Sequence, residues 1–535
     1  MLRIFKTWIL LGYLILFIVF RPANQVHSMG IIVRQGFKSS IVSYIGVIIG
    51  TFNILILYNQ FMTQEQLGLY ASTLLTFPVI YMSFALLGVP SVAVRFHSRF
   101  QDDTSRRQLF TFIIVTPLVG LAAFVSLYLL FKPLYLKFYL DHSPLLVKYY
   151  YVFIPLTVGM VYLLALESYS RINLRIAVPS LIREVGLRLL NSLLVILFGF
   201  KIISFDTLVW LTVLSYALAI TAMLIYLHFQ KRLYTSLDFG FIKHPAFKEM
   251  YRYGLWVLLG GASAALLPHI EKVLLPAFEG GLGNTAIFDI ASRIALVISI
   301  PRNSIVMISA PIISEAYAKN DIAQIDNIYK KSSLNLFIIG TFLFLGIWCN
   351  IDSIFGIIPK SDIYSQGKWV VFMVGISRIT DMATGLNTEI LTNSKFYRYD
   401  IVFMLFFTVM LLLSNQLLIP LYGYNGAAAA ALFSTITYNL VKLFFIKHKM
   451  GIQPFTLGTF KVAILAALAY FSVYFIPAPA ESKVLSNVLF DILLRSVLVT
   501  AIFGGGILVW KVSEDISAGF SLGWQFFKTS LLKHK

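Results

Sequence analysis

Two adjoining stretches place ionisable side chains inside apolar runs. "LLPHIEKVLLPAF" (266–278) holds His269, Glu271 and Lys272, and "AIFDIASRIALVISIPRNSIVMISAP" (286–311) holds Asp289, Arg293 and Arg302. A charge at the centre of a bilayer span costs roughly 2.5–3.5 kcal/mol on insertion scales, so such groups face one another or a wet cavity. Cations of this kind can grip an anion. An arginine fork meets phosphate oxygens in two places and keeps its charge when partly desolvated. The carboxylates Asp289 and Glu271 would then hold the cations in place. A turn near Gly280–Gly281 makes the two stretches a hairpin, which sets Lys272 level with Asp289 and His269 level with Arg293. The expectation is one charged layer in the outer half of a membrane, facing a polar, net basic cavity. The alternative is a buried salt-bridge network with no ligand.

Other charge pairs have helical spacing: Glu167 with Arg171, Glu184 with Arg188, and Arg378 with Asp381. The first two fall near span ends, where a structural or headgroup-facing role is expected. Arg378 and Asp381 lie deeper and join the candidate cavity, Asp381 as a supporting carboxylate. "GGASAALLP" (260–268) combines the small residues Gly260 and Gly261 with Pro268. It reads as a hinge or as a close-packing seam. "GIIVRQGFKSS" (30–40) fails as a phosphate loop, because its spacing is wrong and no strand precedes it. "QDDTSRR" (101–107) sits in a short loop with no domain around it. Catalytic residues, metal ligands and cofactors are not expected, and the single cysteine, Cys349, excludes an internal disulfide.

These residues need membrane-spanning helices to position them. Of the 535 residues, 58% are hydrophobic and only 13% charged, with a mean hydropathy of +0.81. A soluble chain carries roughly 25% charged residues. Apolar runs of spanning length fall near 39–59, 68–94, 109–131, 149–168, 179–200, 206–229, 254–277, 285–310, 333–349, 367–391, 399–420, 423–446, 459–476 and 487–510. The predicted fold is all-α, a polytopic membrane protein of about fourteen spans. The formal net charge of +19 reflects Lys and Arg gathered in the loops after even-numbered spans, not nucleic-acid binding. The positive-inside rule puts those loops, and both ends of the core, in the cytoplasm.

The chain also repeats itself. At an offset of 218 residues Gly36 falls on Gly254, Tyr70 on Phe288 and Asp103 on Asp321. Six spans separate the copies, so both keep one orientation about an axis along the membrane normal. The expected division is a first lobe over 29–230, a basic linker over 231–253, a second lobe over 254–449, and two further spans with a tail over 450–535. In the first lobe Asp289, Arg293 and Arg302 are replaced by Ala71, Leu75 and Phe84, so the fold does not itself require charge there. Glu271 maps onto Asn53, a polar residue deep in span one that joins the candidate cavity. Residues 1–28 are apolar for only about fifteen positions, with basic residues on both flanks, and fit neither a span nor a cleavable signal. The expectation is that Met29 is the true start.

"MGIIVRQGFKSSIVSYIGVIIGTFNILILY", "ESYSRINLRIAVPSLIREVGLRLLN" and "GLNTEILTNSKFYRYD" resemble the Wzx-type oligosaccharide flippases. These are polysaccharide-biosynthesis membrane proteins of the multidrug/oligosaccharidyl-lipid/polysaccharide exporter superfamily. The resemblance implies two lobes about a central cavity in the bacterial inner membrane. It implies alternating access that carries an undecaprenyl-pyrophosphate-linked oligosaccharide, such as an O-antigen or lipopolysaccharide precursor, between leaflets. Cavity cations Arg293, Lys272, His269, Arg302 and Arg378 would bind the pyrophosphate, and the last two helices would offer the lipid tail a groove. Its partners would be that substrate, membrane lipids and neighbouring polymerases or glycosyltransferases, around a monomer. Basic residues cluster in span one of the lipid II flippases, whereas here no charge lies between Ser39 and Asn59. The alternatives are a drug or cation antiporter of the same fold, and a membrane oligosaccharide polymerase, which would need a larger outer loop.

Overall fold

A computed structural model describes residues 28–476 and 485–518. The segment expected to precede the true start therefore lies outside the described residues, apart from its last position, as do residues 519–535. All fourteen apolar segments fall on helix, and no strand occurs among the described residues. Ten helices there are long and apolar enough to cross a membrane, or eleven if the bent pair Ser361–Ala383 and Asn387–Asn393 is one span. The difference from fourteen has physical causes. The 54-residue run Tyr397–Met450 is two helices, because Gly423 breaks it with φ 56° and ψ −131°, a conformation open to glycine. The helical stretch 177–199 carries Arg183, Glu184 and Arg188. The seventh segment is interrupted: helix Phe247–Leu266 passes into a 3-10 turn at Leu267–His269, where Pro268 cannot donate a helical hydrogen bond, before resuming at Ile270–Leu274.

The chain divides into two compact units. Among the described residues, the first holds those up to Ala277 with Gly281–Ala286, and the second holds Phe278–Gly280 and those from Ile287. The division thus falls after the seventh segment, not in the linker at 231–253. Inside the first unit, helix Phe247–Leu266 packs on Phe77–Ala85 and Val89–Phe96. A backbone-to-backbone contact makes this fit. Gly88 has φ +72°, and a Cβ there would lie 2.6 Å from the carbonyl oxygen of Gly254. Only glycine fits on either ground.

The second unit shows how a membrane helix divides its faces. On the helical stretch 397–422, Leu413, Leu417 and Leu421 recur every four residues and stay exposed, whereas Ser414 and Asn415 between them are buried. Ser414 Oγ meets Ser434 Oγ at 3.0 Å and stitches this helix to the one after Gly423. Polar side chains point into the protein because lipid offers them no partner. The repeat is visible in the helix starts. Asp102 caps Asp103–Leu130 by accepting from Ser105 N, and Asp321 caps Ile322–Trp348 by accepting from Gln324 N. The capping aspartate stands one position earlier in the first copy than the offset of 218 expects.

Candidate functional site

The densest constellation of buried charge lies in the second unit, where Ile300–Ala318, Lys368–Ala383, Asn387–Asn393 and the hairpin about Gly423 pack together. Arg302 forms an ion pair with Asp381 (Nε to Oδ2 3.1 Å) and a longer one with Glu389 (Nη2 to Oε1 3.6 Å). Lys442, fully buried, pairs with Asp400 at 2.7 Å. Its ammonium also donates to Thr388 Oγ1 at 2.8 Å and Tyr438 Oη at 2.7 Å. Between the two pairs Asn439 Oδ1 accepts from Thr384 Oγ1 and Asn387 Nδ2 at 2.8 and 2.9 Å. Thr384 Oγ1 lies 3.1 Å from the carbonyl oxygen of Asp381, and Thr388 Oγ1 donates to Asn387 Oδ1. A continuous polar chain therefore runs from Arg302 to Asp400.

Local sequence explains the placement. Tyr438, Asn439 and Lys442 are spaced to share one face of a helix. Thr384, Asn387, Thr388 and Glu389 sit at the bend between Ala383 and Asn387, where Gly385 takes φ +64°. All of these positions lie toward the segment ends that lead into the basic loops. The expected layer instead lay in the half nearer Gly280–Gly281.

The remaining sequence candidates are distributed differently. Asp289 is almost fully buried and accepts from Arg293 Nε at 3.0 Å, four residues along the same helix. His269, Glu271 and Lys272 belong to the first unit, around the turn at Pro268 and the short helix Ile270–Leu274, with Glu271 buried. Asp381 pairs with Arg302 and, among the described residues, not with Arg378, whose partly buried guanidinium has an Nε without a hydrogen-bond partner. Asn53 is buried among helices. Its amide donates to the Arg188 carbonyl at 3.2 Å and accepts from Ser192 Oγ at 2.9 Å, which fastens the first segment to the fifth. Gly260 and Gly261 lie within the helix Phe247–Leu266, so the breaks in this segment are at the proline-containing 3-10 turns Leu267–His269 and Leu275–Ala277 and not at the glycines. Among the described residues no group of three His, Cys, Asp or Glu could hold a metal ion.

Glu389, Asp400, Asn439 and Lys442 were not singled out from the sequence. The signal for two was present, since Glu389 and Asp400 both lie in "GLNTEILTNSKFYRYD". The charge balance also differs from expectation. In this network two cations, Arg302 and Lys442, stand against three carboxylates, Asp381, Glu389 and Asp400, whereas the expected cavity was net basic.

No protein-family model and no curated protein matches the chain. Solved structures do. A lipid II flippase, MurJ, in an inward closed conformation superposes with a TM-score of 0.66 at 13% identity, over 87% of this chain and 98% of MurJ. An inward-facing multidrug resistance MATE transporter of the MOP superfamily gives 0.59 at 14% identity, over 76% and 94%. A MOP-superfamily transporter from Pyrococcus furiosus gives 0.55 at 13%, over 80% and 99%. The chain shares its fold with these structures. The chain is a multi-pass membrane protein.

Proposed function

We propose that the protein is a flippase that moves an undecaprenyl-pyrophosphate-linked oligosaccharide across the bacterial inner membrane by alternating access. It is a transporter and not an enzyme. The observation that carries this reading is the fold match with a lipid II flippase across nearly the full length of both chains. The buried network of the second unit supports it. Arg302 is partly exposed and held between two carboxylates, so a diphosphate can take the place of Asp381 as its partner. Asp381 and Glu389 then recapture the guanidinium on release, which keeps binding reversible. Arg293, with its own carboxylate Asp289, offers a second such cation. The 3-10 turn at Pro268 supplies a bend in the seventh segment for the movement. The core termini and the loops after even-numbered spans face the cytoplasm.

A second reading rests on a specific observation. Glu389 Oε2 is buried without a hydrogen-bond partner, and three carboxylates line one network. This favours exchange of a cation or cationic drug. One assay separates the readings. The purified protein is reconstituted in liposomes with a fluorescent undecaprenyl-pyrophosphate oligosaccharide, and outer-leaflet label is quenched over time. The flippase reading expects wild-type protein to expose the inner-leaflet label, Arg302→Lys to retain part of the rate, and Arg302→Ala to lose it at unchanged abundance. Flipping by Arg302→Ala at the wild-type rate, or none by wild type together with cation-driven drug uptake, would reject it.

A further inference from the structure

At the end of the first unit where the loops after the second, fourth and sixth segments meet, His97, Gln101, Arg106, Tyr169, Asn173 and Arg232 line an open cavity of about 470 Å³. That volume is within the roughly 300–1,000 Å³ of ligand pockets. Arg106 and Arg232 bring two guanidinium groups to it, and both lie within electrostatic reach of Tyr234. Among the described residues neither side chain has an ion pair or hydrogen bond. Three other arginines of this end are occupied. Arg99 pairs with Glu249, Arg107 donates to Ser236, and Arg171 pairs with Glu167.

Two ordinary uses for such arginines are already filled. The first is to neutralise helix C-termini, since backbone carbonyls there attract cations. Here the helices close their own ends. Leu174 and Lys231 take left-handed turns with φ 56° and 53°. Arg175 N and Leu174 N donate to Ser170 O and Arg171 O, Asn173 Nδ2 to Tyr169 O, and Arg232 N and Lys231 N to Leu227 O and His228 O. The second is to pair with nearby carboxylates. Asp102 instead accepts from the backbone and hydroxyl of Ser105, and Asp103 from Tyr234 Oη. The cavity wall is held in shape as well, because Tyr169 Oη donates to the Arg232 carbonyl at 2.9 Å.

The position of the cavity points to its ligand. Arg232 stands three residues past Phe229, the end of a membrane span, and Phe229 is 78% exposed. Leu237, Phe239 and Ile242, which follow, are also exposed. Apolar side chains beside basic ones are the signature of a segment lying at headgroup depth. We propose that this cavity binds a phosphate-bearing anion through the paired forks of Arg106 and Arg232. The phosphate comes either from an anionic phospholipid headgroup or from a soluble diphosphate. The site is separate from the charged network of the second unit and does not depend on the flippase reading.

The full-length protein in neutral detergent is titrated with inorganic pyrophosphate by calorimetry. In parallel, lipids retained from mixed phosphatidylglycerol–phosphatidylcholine nanodiscs are counted by native mass spectrometry. Charge-assisted contacts of this type support an expected loss of about tenfold or more in affinity for Arg106→Gln with Arg232→Gln. Arg106→Lys with Arg232→Lys should keep part of the binding, and Lys132→Gln should leave it unchanged. Pyrophosphate binding lost in the double glutamine variant assigns the soluble source. Selective retention of phosphatidylglycerol lost in that variant assigns the lipid source. Wild-type protein that binds neither probe, or a folded double variant indistinguishable from it with both, overturns the proposal.

Discussion

Each unit contains an ion-pair cluster built from neighbouring helices, and the two are organised in opposite ways. In the first, Glu167 is almost fully buried, but its partners Arg171 and Arg183 are 50% and 37% exposed. Arg183 continues to Glu184, which also holds Arg188. A buried carboxylate thus anchors arginines that reach outward to water or headgroups. In the second unit the cations are inside. Lys442 is 0% exposed and Arg302 17%, while Asp381 and Asp400 are the more open members. An outward guanidinium keeps most of its hydration whatever its partner does. A buried ammonium depends on its partners entirely, and a partner that leaves must be replaced. The first arrangement suits a fixed anchor, and the second suits a site whose partners exchange.

The largest test of this contrast is Lys442. Its removal as Lys442→Met leaves Asp400 facing the vacated site, whereas removal of both charges leaves nothing uncompensated. Breaking a buried pair costs roughly 3–5 kcal/mol. Lys442→Met should therefore lower melting temperature and membrane abundance sharply, and an additional Asp400→Asn change should recover part of the loss. An unaltered melting temperature in the single variant would show that burial is not what distinguishes this unit. Glu167→Gln should do less, about 1 kcal/mol, because both arginines stay hydrated. A loss as large as that of Lys442→Met would erase the comparison.

The smallest effect belongs to a pair at the exposed extreme. Arg99 donates to Glu249 at 2.6 Å and holds that carboxyl below its usual 4.5. A depressed folded value means that the contribution is complete above pH 4.5 and is lost as the pH falls through the lowered folded value. Melting curves between pH 6 and 3 should therefore show a small acid-dependent loss that Arg99→Gln removes. Both side chains are about half exposed, so the same curves in high salt should converge. A difference that survives high salt would mean that this pair is shielded like those inside.

Much of this architecture was legible before folding because apolar length reports a span directly. All fourteen segments are helical, and the two helix pairs predicted to share one face through Glu167 and Glu184 do form their i,i+4 bridges. The network was less legible for two reasons. Arg302 pairs across 79 and 87 residues of sequence with Asp381 and Glu389, and spacing rules on one helix do not reach that far. Lys442 stands close to a run of loop cations, so its charge reads as topology when its side chain is in fact buried. Asn53 poses a different question. A polar residue deep in an apolar run signals a partner, but the run does not say whether that partner is a ligand or another helix. Here Ser192 and the Arg188 backbone, more than 130 residues away, use the amide.

The hairpin about Gly423 has a consequence for biogenesis. Asp400 and Lys442 lie on its two arms, 23 and 19 residues from the break, and so come level when the arms fold together. The ribosome delivers the carboxylate first and the ammonium about forty residues later. Once the second arm has emerged, the two can neutralise each other within a single helical hairpin. The hairpin enters the bilayer as a charge-balanced unit before the segments at 457–474 and 486–509 have been made, and it needs no later helix to cover a bare lysine.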